Sequence, residues 1–316
     1  MKKSKLLILV LVAPLLTGCG SGKVKAPKFA KEGESVSGDK FVEDIGKAYS
    51  SSAIAQEAAL GSSVVSFNLK MSGDLGVERD KKSFSKSTSF TEQDTKLEYD
   101  AGNSILKMTN KGVMKESEKT KHGTTTSNGS QNQVASYGAA QVSGANYIVN
   151  VNQKAKEYFK IMLIEGEITA AKYDDMMLKM MVGSLIDQYS FSAAAWATMT
   201  DEEKAEYKFY ENGNIYTYEF EHKVENEETK DEEDKVVKIE SERHYTKVQI
   251  DFTAGKMAVK AFDEVENTTV YKQNSGIYVA EDIVKEKQLQ SVDASCIDKD
   301  VKLKSTDLSK FKGLGF

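Results

Sequence analysis

From Val65 the apolar residues fall on alternate positions: Val65, Phe67, Leu69 and Met71, then Leu75 and Val77, with Ser66, Asn68, Lys70, Ser72 and Asp74 between them. A period of two with one greasy and one wet set predicts a strand with one buried face, the habit of antiparallel sheets. Before it, Phe41, Ile45, Tyr49 and Ala53 recur every four residues with Val42 beside them, which predicts a helix with Asp39 as its N-cap. Further strands are expected at 83–99, 104–115 and 146–151. The polar stretch 115–135, "KESEKTKHGTTTSNGSQNQVA", reads as a loop or as two exposed strands about Asn128-Gly129.

The middle of the chain changes period again. Helices are expected from Asn152 to Glu165 and from Thr169 to Tyr189, the second with Tyr173, Met177, Met180, Met181 and Leu185 on one side. A third starts at Thr200, whose hydroxyl and Glu203 have the spacing of a capping box. Strands then return. Tyr207 to Phe220 folds about Asn212-Gly213, and 236–252 pairs with 256–262 across Ala254-Gly255. The acidic "ENEETKDEEDK" lacks the order of a calcium loop and reads as a solvated hairpin loop. No element is assigned after 273. This order, helix, strands, helical insert, strands, is α+β: one curved, largely antiparallel, half-barrel-like sheet, with an N-terminal helix and an insert at about 152–206 covering one face.

The first residues obey other rules. Met1 to Lys5 is cationic, and Leu6 to Leu16 is apolar, broken only by Pro14. That run is too short to span a bilayer, which takes about 20 residues, and has the layout of an export signal. Its end, Leu16-Thr17-Gly18-Cys19, resembles the lipobox of bacterial lipoproteins. The resemblance implies cleavage before Cys19, a diacylglycerol on its thiol carrying acyl groups such as palmitate, and attachment to the extracytoplasmic face of a membrane in the cell envelope. Two acyl chains give stable anchoring where one does not. Residues 1–18 are then a signal peptide, 19–40 a Gly-, Ser- and Lys-rich tether, and 41–316 one domain.

Charge and composition narrow the function. Removing residues 1–18 takes away three lysines and no acids, moving the net charge from −5 to −8. An acidic body is unsuited to nucleic acid and to anionic lipid, leaving the covalent lipid as the membrane partner. Cys296 remains as the lone body cysteine, so no internal disulfide forms, and His122, His222 and His244 are all far from it in sequence. No nucleophile elbow, zinc-protease helix or phosphate loop is present, so the chain reads as a non-enzyme without cofactor or metal. The methionines of the insert suit an irregular core first, a varied apolar ligand second and copper(I) third.

In element order alone the chain resembles the LolA-like and LppX-like lipid carriers. That resemblance implies a lipid or other apolar ligand, lined by Val65, Phe67, Leu69 and Met71 below and by Tyr173, Met177, Met180 and Met181 from a lid. A surface structural or adhesive lipoprotein and the solute-binding part of a transporter are the alternatives. The latter calls for two α/β lobes.

Overall fold

The computed structural model describes residues 24–51, 62–100, 105–142, 145–152, 157–162, 189, 191–253 and 256–304. These form a twelve-stranded antiparallel sheet and few helices. The strands are β1 (Glu34–Val36), β2 (Ser63–Arg79), β3 (Lys82–Asp100), β4 (Ile105–Thr120), β5 (Gly123–Val142), β6 (Ala145–Asn152) and β7 (Glu157–Met162), followed by β8 (Tyr207–Asn212), β9 (Ile215–Lys230), β10 (Val236–Asp251), β11 (Lys256–Tyr271) and β12 (Ile283–Asp298). The helices are α1 (Gly38–Ser51), α2 (Ala193–Thr198) and α3 (Asp201–Ala205). Among them none is long and apolar enough to cross a membrane.

The spatial order is β1-β8-β9-β10-β11-β12-β2-β3-β4-β5-β6-β7. Two meanders, β2 to β7 and β8 to β12, are thus joined by pairing of β12 with β2. Alternation in β2 has the expected effect as far as Met71, whereas Leu75, expected on the buried face, is exposed because the sheet there has no covering layer among the described residues. Val65 and Leu69 are buried, and Phe67 and Met71 pack partly against the core. Cross-strand register extends their face into continuous rows: Tyr218, Val248, Ala261, Val292 and Leu69 lie side by side, as do Tyr216, Ile250, Val259, Ala294 and Phe67. This apolar face is termed inner.

α1 lies on that face because Phe41, Val42 and Ile45 form one stripe, buried among Phe209, Tyr216, Val248 and Ile250. Each such side chain contributes about 1.5–3 kcal/mol on burial. The helix is entered at Ser37, whose carbonyl accepts from Phe41 N at 2.9 Å. Asp39, the expected cap, instead accepts from Trp196 Nε1 at 2.7 Å, tying α1 to α2. α3 has the expected capping box, with Thr200 and Glu203 bonded reciprocally.

Several expectations are corrected. Residues 157–162, expected within a helix, are β7, paired with β6; "EYFKIM" sets aromatic and branched residues on alternate positions, which suits a pleat. The 115–135 stretch is indeed two strands, but they turn at Lys121-His122, and Asn128-Gly129 lies inside β5. Much of "ENEETKDEEDK" extends β9 to Lys230, and the C-terminal part supplies a full strand, β12. The Asn212-Gly213 hairpin forms as expected, with Gly213 at φ +62. The second expected helix, 169–189, lies almost wholly outside the described residues.

The tether also begins to fold earlier than expected. Residues 28–32 cross the outer face: Lys28 O accepts from Lys260 Nζ at 2.7 Å, Ala30 N donates to Gln249 Oε1 at 2.7 Å, and Lys31 O accepts from Asn212 Nδ2 at 3.2 Å. β1 then pairs along β8, and α1 follows on the inner face, so the segment wraps the β8 edge. Two glycines permit this. A Cβ on Gly33 would lie 1.7 Å from Glu211 O, and one on Gly38 would lie 2.1 Å from the Trp196 ring. Gly33→Ala and Gly38→Ala are therefore each expected to cost about 1–3 kcal/mol or more. At about 2–4 °C per kcal/mol, thermal unfolding resolves this, whereas Gly46→Ala, which meets nothing within 4 Å in mid-helix, is expected to raise the midpoint.

Candidate functional site

The inner face is not uniform along its strands. Toward the α1 end it is apolar and covered. Phe191, Trp196, Tyr207, Phe209 and Tyr218 form an aromatic wall, with Phe191 ring centroids 5.1–5.7 Å from the other four. Tyr218 donates to Tyr189 O at 3.3 Å, and burial pushes its phenol well above the usual range. Burial also pushes Tyr189 and Tyr207 up to about 12. These hydroxyls stay protonated, as donors, at any physiological pH.

One residue pair further along, the face turns polar. The row beside Val248 and Leu69 runs Phe220, Thr246, Asp263, Gln290 and Met71. Asp263 Oδ1 accepts from Thr246 Oγ1 at 2.5 Å and contacts His244 Nε2 at 2.8 Å, while Gln290 Nε2 donates to Tyr189 Oη at 3.2 Å. His244 stands directly opposite His222, whose Nδ1 lies 2.5 Å from Glu206 Oε1. The result is a border between an apolar floor and a set of hydrogen-bonding groups. Met71, not fully buried, stands on it, and Phe67, also not fully buried, lies two rows back in the apolar part.

The order of groups at this border differs from that of a hydrolytic triad. A hydroxyl nucleophile needs an imidazole between it and the carboxylate. Here one nitrogen of His244 meets both Asp263 and Thr246, and Thr246 already donates to Asp263. Among the described residues no cluster of His, Cys, Asp and Glu has the makings of a metal site. A separate open groove of about 460 Å³ lies between Ser35–Gly38, Trp196, Lys204 and β8.

Of the residues that sequence singles out, Val65, Phe67, Leu69 and Met71 share the inner face as expected. Cys19, Tyr173, Met177, Met180 and Met181 lie outside the described residues. Cys296 is buried beside Val65 and Met257 and behaves as a small core residue. Sequence reasoning missed Tyr189, His244, Thr246, Asp263 and Gln290. Alternation with Val248 and Ile250 puts His244 and Thr246 on the core face, but only the β10–β11 register reveals that Asp263 meets them.

No family model and no curated protein matches the chain. Among solved structures, the outer membrane protease OmpT from Escherichia coli is similar over 76% of this chain and 97% of its own, at 6% identity and a TM-score of 0.22. A mutant of the TodX monoaromatic hydrocarbon channel is similar over 80% of this chain and 94% of its own, at 9% identity and a TM-score of 0.23. At such TM-scores neither likeness carries weight for fold or function.

The border titrates. The hydrogen bond to Asp263 holds the His244 pKa above its ordinary value, against the opposing effect of burial. A raised pKa means the protonated pair stabilises the fold fully below the unfolded histidine's pKa, and that this contribution is lost as pH rises through the folded value. Wild-type melting temperature is therefore expected to fall relative to that of Asp263→Asn between about pH 6 and pH 8, the histidine range. A difference that stays constant over that window refutes the coupling.

Proposed function

We propose that the chain is a lipid-anchored, non-catalytic protein of a bacterial envelope that binds an amphiphilic lipid on the inner face of its sheet. The observation that carries this reading is the border itself. Met71 packs only partly against the core, and Gln290, Asp263 and Thr246 follow at once in the same row, two rows on from Phe67, which is also only partly buried. An acyl chain laid over the uncovered parts of Phe67 and Met71 gains about 0.8 kcal/mol per buried CH₂. A hydroxyl or amide head beside it finds both donors and acceptors. The element-order resemblance to lipid carriers points the same way, and the expected lid of Tyr173, Met177, Met180 and Met181 would close over the chain.

The anchor fits the folded N-terminal segment. Val24 is already buried, so only residues 20–23 separate Cys19 from the body. Five steps of at most about 3.3–3.6 Å hold Val24 within roughly 18 Å of the acylated cysteine. The strap crosses the outer face, so the inner face is left clear of it. A surface structural role is the second reading, favoured by the wet half of the sheet beyond Met71, where Val77, Phe90 and Asp282 are the buried residues among those described. The described strands form one antiparallel sheet, without the two α/β lobes that a solute receptor calls for.

Two measurements test the reading. The wild-type chain should carry an acyl mass that Cys19→Ser lacks, and an unchanged mass would remove the anchor. The purified chain should retain lipid in native mass spectrometry or take up a fluorescent fatty acid, and Phe67→Asp should weaken uptake by at least about tenfold, equivalent to 1.4 kcal/mol. A folded wild type that takes up neither supports the structural role instead.

A further inference from the structure

The antiparallel order places four connections side by side at one end of the strands. In spatial order they are 231–235 between β9 and β10, 272–282 between β11 and β12, Asp80-Lys81 between β2 and β3, and Lys121-His122 between β4 and β5. Neighbouring connections lie two strands apart, about 10 Å. Their chemistry is strongly segregated. Residues 225–235 hold seven acids against two lysines, and Glu225, Glu227, Glu228, Glu232, Glu233 and Asp234 are exposed. On the other side, Lys81, Lys82, Lys86, Lys119 and Lys121 are all exposed, five cations with the exposed acids Asp80 and Glu118 among them.

Between these lobes sits an apolar tip held rigidly outward. Ile277 is 81% exposed, the most exposed of the large hydrophobic residues described. Its loop is fastened by Asp282, which is fully buried and accepts from Arg79 Nε at 2.9 Å, from Arg79 Nη2 at 2.7 Å and from Val279 N at 3.0 Å. Arg79 Nη2 also donates to Ile277 O at 3.1 Å, and its guanidinium stacks over Phe84 at 4.0 Å. Tyr271 and Tyr278 stack at 4.6 Å across the base of the loop. A loop pinned in this way pays little ordering entropy on binding.

The order acidic, apolar, basic is self-complementary. A two-fold axis through the Ile277 loop sets the acidic lobe of one copy against the β2–β3 lobe of the other, and Ile277 against Ile277. We infer that this row of connections is the interface for a second copy of the chain, in an isologous end-to-end dimer. Neither lobe involves the anchor or the inner face. The contact strip is about 30 Å long, four connections at the spacing of strands, and one sheet thick, so the dimer is weak and salt-sensitive.

The full chain in detergent is expected to sediment as a dimer at low salt and to dissociate in 1 M salt. Glu232→Lys with Glu233→Lys gives two basic lobes, and Lys81→Glu with Lys82→Glu gives two acidic ones. Each variant alone should self-associate at least about tenfold more weakly. Mixing them should restore association, a result that misfolded variants cannot give. Independently, Ile277→Cys should form a disulfide-linked dimer on oxidation at low salt and far less at high salt, while Asn214→Cys, at the opposite end of the strands, should not. Salt-reversible crosslinking with recovery in the mixture supports the dimer. Absence of the Ile277→Cys crosslink at low salt overturns it, as does crosslinking as efficient through Asn214→Cys.

Discussion

Pairing of β12 with β2 is the constraint on which the rest of the molecule depends. It runs unbroken from Ile283 with Glu78 to Asp298 with Ser63, joining segments more than two hundred residues apart. Without it the chain holds two separate meanders, each with an apolar face too narrow to bury itself. With it, Leu69 meets Val292 and Phe67 meets Ala294, and the inner rows become continuous from β9 to β2. The same register brings Arg79 to Asp282 across the joint, a buried carboxylate that tolerates no slip. Loop closure of this length is costly before any contact rewards it, so this joint forms late in folding.

A sheet so assembled has edges, and an open edge invites another strand. The N-terminal segment resolves the β8 edge by occupying it. β1 takes up the backbone groups, the strap before it lies on one face, and α1 after it lies on the other. Gly33 and Gly38 bracket this passage because side chains there meet Glu211 and Trp196. The segment from Lys28 onward and the core helix are therefore mechanically one element. A pull on the chain before Lys28 is transmitted through Lys260, Gln249 and Asn212 to the outer face.

The sequence announces local order well and long-range order poorly. Alternation from Val65 to Met71 locates a strand and its buried face, and the Thr200 box and the Asn212-Gly213 hairpin form where their chemistry puts them, since each is satisfied within a few residues. β1 and β12 are invisible by that logic. Glu34-Ser35-Val36 becomes a strand through the edge of β8, and the mixed composition after 273 becomes one through β2 and β11. The 121–122 turn is equally hidden, because Asn128-Gly129 is the better local signal; Gly129 instead sits against Met114, its ideal Cβ position 3.7 Å from the methionine's terminal carbon. The polar border was unreadable for the same reason: His244 and Asp263 are nineteen residues apart and meet through register alone.

Beyond the border the sheet has little core to specify it, and charge takes over that task. On the outer face Glu221, Arg243, Glu264 and Lys287 alternate in sign across β9, β10, β11 and β12, with Arg243 bridging two carboxylates and Lys287 joining Glu264 to Glu266. Exposed pairs of this kind contribute little stability each, about 0.2–1 kcal/mol. Their value lies in what they forbid. A one-residue slip of any strand turns its side chains to the other face and breaks these pairs. The apolar half thus supplies the cohesion and the charged half fixes the alignment, which is what holds the four connections at its end in one order.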